Sequence, residues 1–500
     1  MGVIVETSKG SVEGVQRGSH QAFLGVPFAK PPVGGLRWRA PEPAEPWEGV
    51  RDASAFGNAA AQPDHPIPGF AASGTRSEDC LYLNVYAPAA DGGSRPVMLW
   101  IHGGGFTHGT GSEPLYNGGP LAERGDVVVV TINYRLGALG YLYLGAHGGD
   151  EWGATANAGQ LDQVAALQWV QDEISSFGGD AGNVTIFGQS AGAGAVSALL
   201  AMPAAQGLFH KAIMESGGGG DADSVQGASA SAELLLEELG LEEPDESALL
   251  ALSTDSILAA QAELTGRARF RPVVDGSVVP ETTATVAARG GLASIPVMLG
   301  TNRDEMKQFR AMQVREPLED VGLLDEVRAA MPAGKDGEAE RVIEVIRESR
   351  SSRGLPSDNR DVSDVVATQP MRVASAHLAE LQGAHQAKTF HYFFEWESPA
   401  RRGALGSCHS LEMPFVFGTL DAPTQDRFAG TGPEAELLSA QMMDAWLSFA
   451  RSGDPSHEGI GVWPMYDASR RGTMVFGPRT RVEDAPFEEE RALYDELFYS

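Results

Sequence analysis

The sequence predicts an α/β fold with a central, mostly parallel, twisted sheet that is flanked by helices. Apolar runs bounded by turn residues recur along the chain, as expected of strands that a parallel sheet buries on both faces. Residues at helical spacing separate the second run from the third, and such alternation is typical of parallel strands joined by helices. The apolar runs are 97–101, 127–132, 184–188, 295–300 and 389–394.

One helix is predicted with particular clarity between the second and third runs. Its apolar residues recur at intervals of three and four, which places them on one face of a helix. A strand, a helix and a following parallel strand imply a right-handed crossover. The apolar residues are Leu161, Val164, Leu167, Val170 and Ile174.

Residues 1–500 are expected to form one domain, because large α/β enzymes often wrap their insertions around a single sheet. The first third of the chain has the pattern of short strands and turns, and no helix is needed before about residue 110. Two later segments, about 221–290 and 305–385, are richer in Ala, Leu and Glu and have helical spacing. We expect them to be mainly helical insertions above the sheet.

The charge balance argues against nucleic acids and membranes as partners. The chain has 67 acidic and 37 basic side chains and a net charge of -30, which repels phosphate backbones and anionic lipids. No apolar run approaches the roughly 20 residues that a membrane helix needs. We therefore expect a small-molecule ligand and a well-solvated surface.

The cysteines and the N-terminus favour the cytoplasm. Cys80 and Cys408 are the only cysteines, and two are too few for a disulfide framework. The N-terminus lacks the basic stretch and apolar run of a signal peptide. The histidines show no paired metal-ligand spacing, so no metal is predicted.

A candidate nucleophile lies in the motif Gly188-Gln189-Ser190-Ala191-Gly192. An apolar strand precedes this motif and a helix-like run follows it. A serine at such a turn is held in a strained backbone, and the small neighbours allow the chain to turn sharply. The pattern alone arises by chance in glycine-rich chains, but the strand and helix around it favour a nucleophilic serine.

A glycine run follows an earlier strand and is a candidate oxyanion hole. The run is His102-Gly103-Gly104-Gly105-Phe106, and glycines let backbone N–H groups approach a developing oxyanion closely. The N–H groups of Gly104, Gly105 and Ala191 are the predicted donors. A flexible turn or a phosphate-binding loop is the alternative. No GK[ST] follows, and no dinucleotide fingerprint is present, which disfavours a nicotinamide-dependent oxidoreductase.

The partners of the serine should follow later strands, in the order acid and then histidine. Asp304 and Glu305 come after the run 295–300, and His409 comes after the run 389–394. Spacing alone leaves both carboxylates open as the acid.

In these motifs the chain resembles the type-B carboxylesterases, the family that includes cholinesterases and bacterial para-nitrobenzyl-type esterases. The resemblance implies an α/β-hydrolase fold with helical insertions over the active site, a catalytic triad of Ser190, Glu305 and His409, and no cofactor. It also implies two buried structural ion pairs, Arg37 with Glu78 and Arg135 with Asp162. Besides the serine and glycine motifs, the resemblance covers 23–29, 31–34, 77–85, 133–137, 162–163, 177–180 and 414–418.

Some residues near the site depart from the family pattern or have no assigned role. Family members commonly have Glu before the nucleophile, whereas this chain has Gln189, and this loss of charge should weaken recognition of cationic alcohols. Ser216 resembles a secondary family serine but is left out of the triad. Cys408, beside the base, is expected to be a small buried hydrophobe rather than a reactive thiol.

These residues predict a bacterial, monomeric serine carboxylesterase that hydrolyses short to medium acyl esters or aryl esters through an acyl-enzyme. Phe106 and the run 217–220 are expected to help shape the pockets. Hydrolysis of aryl carbamates or of drug and xenobiotic esters is the alternative specificity. A non-enzymatic, adhesion-like member of the fold is the alternative class, but such proteins typically lose a triad residue and none is lost here.

Overall fold

The computed structural model describes residues 2–65, 72–89, 92–145, 150–220, 222–241, 245–292, 294–311 and 317–499. Its strands are numbered in chain order. They are β1 Gly2–Thr7, β2 Gly10–Arg17, β3 His20–Pro27, β4 Val50–Asp52, β5 Ala59–Ala60, β6 Arg76–Ser77, β7 Tyr82–Pro88, β8 Arg95–Ile101, β9 Val128–Ile132, β10 Gly179–Gln189, β11 Lys211–Glu215, β12 Asp223–Ser224, β13 Val273–Val274, β14 Val297–Asn302, β15 Thr389–Phe394, β16 Gly472–Phe476 and β17 Arg481–Asp484.

The helices are numbered in the same way. They are α1 Gly119–Gly125, α2 Gly137–Tyr141, α3 Ala158–Glu173, α4 Ala191–Ala201, α5 Val225–Glu238, α6 Glu246–Leu250, α7 Thr254–Glu263, α8 Thr283–Ala288, α9 Lys307–Arg310, α10 Asp320–Ala330, α11 Ala339–Ser352, α12 Asn359–Gly383, α13 Met413–Phe417, α14 Gln425–Phe428, α15 Pro433–Ser452 and α16 Glu488–Phe498. Short 3₁₀ helices occupy Gly34–Leu36, Pro114–Tyr116, Asp150–Asn157, Ile174–Phe177, Pro203–Ala205, Asp336–Glu338 and Ala400–Gly403.

Among the described residues, thirteen strands form one large sheet. Its order is β1-β2-β3-β7-β9-β8-β10-β11-β14-β15-β16-β17, with β4 beside β2. Every pairing from β9 across to β16 is parallel, and the pairings outside this centre along the main path are antiparallel. The prediction of a central, mostly parallel sheet is confirmed.

The five predicted apolar runs all lie in the parallel centre of the sheet, as β8, β9, β10, β14 and β15. The start of β14 differs slightly from the predicted run, which began at residue 295. Pairing begins at Val297, opposite Ala212 and Thr389. Because Pro296 has no N–H to donate to a ladder, the strand begins after it.

Both faces of the sheet are buried in its parallel centre, where alternate residues of a strand can belong to opposite cores. On β8, Val97 and Leu99 belong to one apolar cluster, whereas Met98 and Trp100 belong to the other. The predicted helix is observed as α3, and it covers the first face together with α4. Helix α15 covers the second face, through Leu438, Met442 and Trp446. Burial on both faces explains why the strand sequences are apolar throughout.

The two segments expected to be helical contain α5 to α8 and α9 to α12, respectively. The first segment also contributes a short parallel pair of strands, β12 with β13. In the second segment, α10, α11 and α12 share an apolar cluster with the C-terminal helix α16. No helix in the described part of the chain combines the length and the apolar content needed to cross a membrane.

The two predicted ion pairs are both present, and these predictions are confirmed. Arg37 Nε donates to Glu78 Oε2 at 2.7 Å. Arg135 Nε donates to Asp162 Oδ2 at 2.8 Å, and the backbone N–H of Arg135 donates to the same oxygen at 3.0 Å. The Asp162 side chain is fully buried. Each ion pair links two segments that are separate in the sequence.

Candidate active site

Ser190 lies at a tight turn between β10 and α4. Its backbone has φ 57° and ψ -125°, a conformation that L-residues rarely adopt outside functional turns. The turn has no room for a side chain two residues before or after the serine, because a Cβ on Gly188 would lie 2.6 Å from the backbone of Gly192 and a Cβ on Gly192 would lie 2.0 Å from the carbonyl oxygen of Ile101. The backbone N–H of Ser190 donates to the carbonyl of Glu215 at 2.8 Å. This geometry presents the Ser190 side chain, which is half-buried, above the end of the sheet.

The glycine run that follows β8 packs against this turn. A Cβ on Gly103 would lie 3.1 Å from Ser190 Cβ, and Gly104 has φ +107°. The Gly104 carbonyl accepts hydrogen bonds from the N–H groups of Thr107 and His108, at 3.1 and 3.0 Å. These bonds fold the run into a compact loop beside the serine.

The three predicted oxyanion donors lie on this loop and on the turn itself. Within the described part of the chain, the N–H groups of Gly104, Gly105 and Ala191 donate to no backbone carbonyl. Ala191 is the first residue of α4, where N–H groups have no partner inside the helix. The arrangement therefore offers donors to an incoming oxygen.

His409 and Glu305 form a buried hydrogen-bonded pair. Nδ1 of His409 lies 2.6 Å from Oε2 of Glu305, and the two residues are 2% and 0% exposed. The other carboxylate oxygen of Glu305 accepts the N–H of Asn302 at 2.7 Å. Because an ionised carboxylate only accepts hydrogen bonds, Nδ1 is the donor and Nε2 faces away with its lone pair.

The other side of the imidazole faces the serine turn. Gln189 Nε2 lies 3.2 Å from His409 Nε2, and Gln189 immediately precedes Ser190. The structure thus brings His409 and Glu305 to the turn that carries Ser190, from segments far apart in the sequence.

Asp304, the other carboxylate that spacing left open, has different partners. Its Oδ2 accepts the N–H of Ser407 at 3.0 Å, and it forms ion pairs with Arg303, Lys307 and Arg350. Burial alone would raise the pKa of Asp304, but these three cations outweigh it, and the pKa is lowered below its usual range. Asp304 therefore belongs to an ion cluster rather than to the histidine.

The sequence reasoning missed a second buried carboxylate beside the histidine. Glu412 is fully buried, and its oxygens accept hydrogen bonds from Ser216 Oγ at 3.3 Å and from Asn302 Nδ2. Burial, and then the nearby charge of Glu305, raises the pKa of Glu412 to about 7. Its position three residues after His409 in the sequence was the available signal.

A third buried carboxylate, Glu215, lies behind the turn. Its Oε1 accepts the indole N–H of Trp446 at 2.7 Å. Burial, and then the nearby charge of Glu412, raises the pKa of Glu215 well above its usual range. The interior behind the histidine thus holds two carboxyl groups, Glu412 and Glu215, whose pKa values are raised by burial.

Three other residues that the sequence analysis singled out, Phe106, Gly217 and Cys408, are all buried. Phe106 is 3% exposed and packs edge-on against Tyr141, with 5.3 Å between the ring centroids. A Cβ on Gly217 would lie 2.6 Å from the carbonyl of Ser190, so this glycine sits directly against the turn. Cys408 is buried, and burial raises its thiol pKa, which agrees with the expectation of an unreactive thiol.

The sheet order and the turn between β10 and α4 define an α/β-hydrolase fold. The family model described as the Carboxylesterase family matches residues 2–494. The chain belongs to this family and is a carboxylic-ester hydrolase.

Individual relatives align along nearly the whole chain. The para-nitrobenzyl esterase of Bacillus subtilis (strain 168) is 40% identical over 499 residues, which cover 98% of this chain and 97% of the relative. The phenmedipham hydrolase of Pseudarthrobacter oxydans is 35% identical, with 95% of each chain covered.

Solved structures show the same similarity. A para-nitrobenzyl esterase structure superposes with a TM-score of 0.87 at 35% identity and covers 99% of both chains. A Geobacillus stearothermophilus carboxylesterase superposes with a TM-score of 0.85 at 37% identity and covers 98% of this chain and 99% of its own.

Proposed function

We propose that Ser190, His409 and Glu305 form the catalytic triad of this esterase. Ser190 Oγ attacks the ester carbonyl while His409 Nε2 takes the hydroxyl proton. Glu305 holds the imidazole in the tautomer with Nδ1–H and stabilises the imidazolium that forms. The N–H groups of Gly104, Gly105 and Ala191 donate to the oxyanion of the tetrahedral intermediate, and losing one such donor typically costs about 3 kcal/mol of transition-state stabilisation.

The second half of the reaction reuses the same groups. The imidazolium gives its proton to the departing alcohol, which leaves an acyl group on Ser190. Water then attacks the acyl-enzyme with His409 again acting as the base. No cofactor takes part in either half-reaction. Slow deacylation predicts a burst of alcohol release that equals the concentration of active sites.

The observation that supports this proposal most strongly is the position of the His409 ring. Its Nδ1 lies 2.6 Å from Glu305, and its Nε2 faces the residue that precedes Ser190. A base held between an orienting carboxylate and the strained turn of a serine is the arrangement that nucleophilic catalysis requires.

We propose short to medium acyl esters and aryl esters as the substrates. The similarity to an enzyme named for a para-nitrobenzyl ester supports an alcohol group that carries an aromatic ring. Relatives at 34 to 35% identity are named for phenmedipham and fumonisin B1, so specificity differs within the family. Aryl carbamates, or drug and xenobiotic esters, are the alternative substrates.

The first experiment compares wild type with Ser190→Ala on para-nitrophenyl acetate, butyrate and octanoate and on a para-nitrophenyl carbamate. We expect the variant to lose kcat by about 10,000-fold or more, and the wild type to prefer the shorter esters. Unchanged activity in Ser190→Ala would overturn the mechanism. Faster turnover of the carbamate than of every ester would overturn the substrate proposal.

We further propose that the protein is a bacterial, cytoplasmic monomer. Its helical insertions should belong to the same single domain as the sheet. The two buried free cysteines suit a reducing compartment, and the net charge of -30 disfavours self-association. One cooperative unfolding transition, one sedimenting species at the mass of 52.8 kDa and activity in the cytosolic fraction of the source cells are the expected results.

A further inference from the structure

The side chain of Gln189 contacts the face of His409 that handles the transferred proton. Its Nε2 lies 3.2 Å from His409 Nε2, and the two residues are 3% and 2% exposed. The contact is therefore a feature of this chain that bears directly on its acid–base chemistry.

The hydrogen bond to Glu305 determines which end of the Gln189 amide faces the ring. Because Nδ1 of His409 donates to Glu305 at 2.6 Å, Nε2 of the neutral ring has a lone pair and no proton. Only the N–H end of an amide donates to a lone pair. In the resting enzyme, Gln189 Nε2 therefore donates to His409 Nε2.

We propose that Gln189 is a positioning residue whose amide contact with Nε2 tunes the basicity of His409. In the resting state the amide donates to Nε2 and favours the neutral ring. When Ser190 Oγ bonds to the ester carbon, its proton moves to Nε2 and the carbonyl oxygen takes the negative charge. The imidazolium then holds this proton on Nε2 until it passes to the departing alcohol.

A glutamate in this position would have the opposite effect on the resting base. A carboxylate in contact with the ring favours the imidazolium and raises the pKa of the histidine, by about one to three pH units for contacts of this length. The neutral amide donor instead favours the unprotonated ring. The esterase should therefore retain an active base at lower pH than its glutamate variant does.

Other charged groups near His409 are unchanged by substitution at Gln189. Glu305 faces Nδ1, and Glu412, on the segment that carries the histidine, interacts with it electrostatically. From α9, the Phe309 ring lies 5.2 Å from the imidazole, and Lys307 pairs with Asp304 and Asp361.

The adjacent thiol also adds no charge near His409. Burial keeps the Cys408 pKa well above its usual range. Differences between the pH profiles of variants at position 189 therefore reflect the change of this side chain.

This inference rests on the proposed triad, and its test separates the two. The variants are Q189E, Q189M, the inactive S190A and Q206E, which adds the same charge at an exposed position outside the site. The pH dependence of kcat/KM for para-nitrophenyl butyrate is measured with the rate of inactivation by paraoxon. That organophosphate phosphorylates the serine and releases para-nitrophenol, so its burst also counts the folded active sites.

We expect the acid limb of both profiles to move up by about one pH unit or more in Q189E, and to stay in place in Q206E. In Q189M, kcat should fall about ten-fold with little change in KM, because the ring loses the amide contact that positions it. Profiles of Q189E that superimpose on wild type, with inactive S190A, overturn the role of Gln189 alone. Should Q189E show no burst, an unchanged kcat in Q189M overturns it instead. Activity retained in S190A overturns the proposed triad itself.

Discussion

Asp304 and Glu305 are adjacent in the chain, yet their carboxylates bind entirely different partners. Glu305 Oε2 lies 2.6 Å from His409 Nδ1, whereas Asp304 accepts the N–H of Ser407 at 3.0 Å and lies 3.5 Å from Arg350 Nη2. One carboxylate orients the candidate base, and the other holds an ion cluster together. Substitution of Glu305 should therefore reduce activity, whereas substitution of Asp304 should reduce stability.

Glu305→Gln should lose activity while keeping its fold. The amide leaves the imidazole in the wrong tautomer, and in serine proteases the equivalent change lowers kcat by about 10,000-fold. We expect the melting temperature to stay close to that of the wild type. Steady-state kinetics and thermal unfolding of the same preparation measure both quantities.

Asp304→Asn should show the reverse pattern. It leaves Arg303, Lys307 and Arg350 without their shared buried carboxylate, and breaking a buried ion pair costs about 3 to 5 kcal/mol of unfolding free energy. Activity per folded molecule, normalised by active-site titration, should stay within about ten-fold of wild type. A larger loss per titrated site than in Glu305→Gln would reverse our assignment of the acid.

Asp162→Asn should strongly destabilise the protein, because it leaves Arg135 buried without its charged partner. Both side chains are almost completely buried, with 4% and 0% exposed, so we expect a loss of about 3 to 5 kcal/mol of unfolding free energy. The matched control is Asp444→Asn, which breaks the pair with Arg124 where the side chains are 41% and 37% exposed. That exposed pair should contribute about 0 to 1 kcal/mol. Guanidinium unfolding of both variants gives the comparison, and equal losses would contradict it.

Glu412 should make stability depend on pH near neutrality. Its pKa is raised from 4.5 to about 7 in the folded protein, so the folded state binds more protons than the unfolded state between these values. The stabilisation is complete below the unfolded pKa and is lost as the pH rises through the folded one, with a total on the order of 3 kcal/mol.

The variant Glu412→Gln tests this pH dependence. Its melting temperature minus that of wild type should increase between about pH 5 and pH 8, because any constant cost of the amide cancels in the comparison. Glu237→Gln, at an exposed position, is the control and should show a nearly constant difference. A difference for Glu412→Gln that is flat with pH would show that its carboxyl group does not titrate there.

Gly104→Ala should impair catalysis more than folding. A Cβ at this position would lie 2.2 Å from the carbonyl oxygen of His108, and the backbone has φ +107°, so the loop must shift away from the serine. We expect kcat to fall by about 100-fold or more, the effect of losing one oxyanion donor. In Gly35→Ala the new methyl group has nothing within 4 Å, and this control should retain wild-type kcat. Equal kcat values in the two variants would contradict the proposed oxyanion hole.

The parallel centre of the sheet was predictable from the sequence because burial on both faces makes its strands apolar throughout. The strand Thr389–Phe394 was predicted with its observed bounds. The strand that begins at Val297 was predicted two residues early, because hydrophobicity does not register the N–H that Pro296 lacks. The serine turn was predictable because its small residues mark a backbone that larger ones do not fit.

Contacts between distant segments were less accessible from the sequence. The choice of Glu305 over Asp304 came only from family resemblance, since spacing places both carboxylates after the same strand. The contact of Gln189 with His409 was missed because the two residues are 220 residues apart in the chain. Glu412 was missed because its partners, Ser216 and Asn302, are also far from it in the sequence. Only the folded sheet brings their side chains together.

The most direct test of Ser190 as the nucleophile is covalent labelling with a fluorophosphonate, followed by peptide mass spectrometry. We expect one label per chain, located on Ser190, with loss of esterase activity in proportion to labelling and no label in Ser190→Ala. A label on another residue, or full activity in the labelled enzyme, would contradict the proposed mechanism.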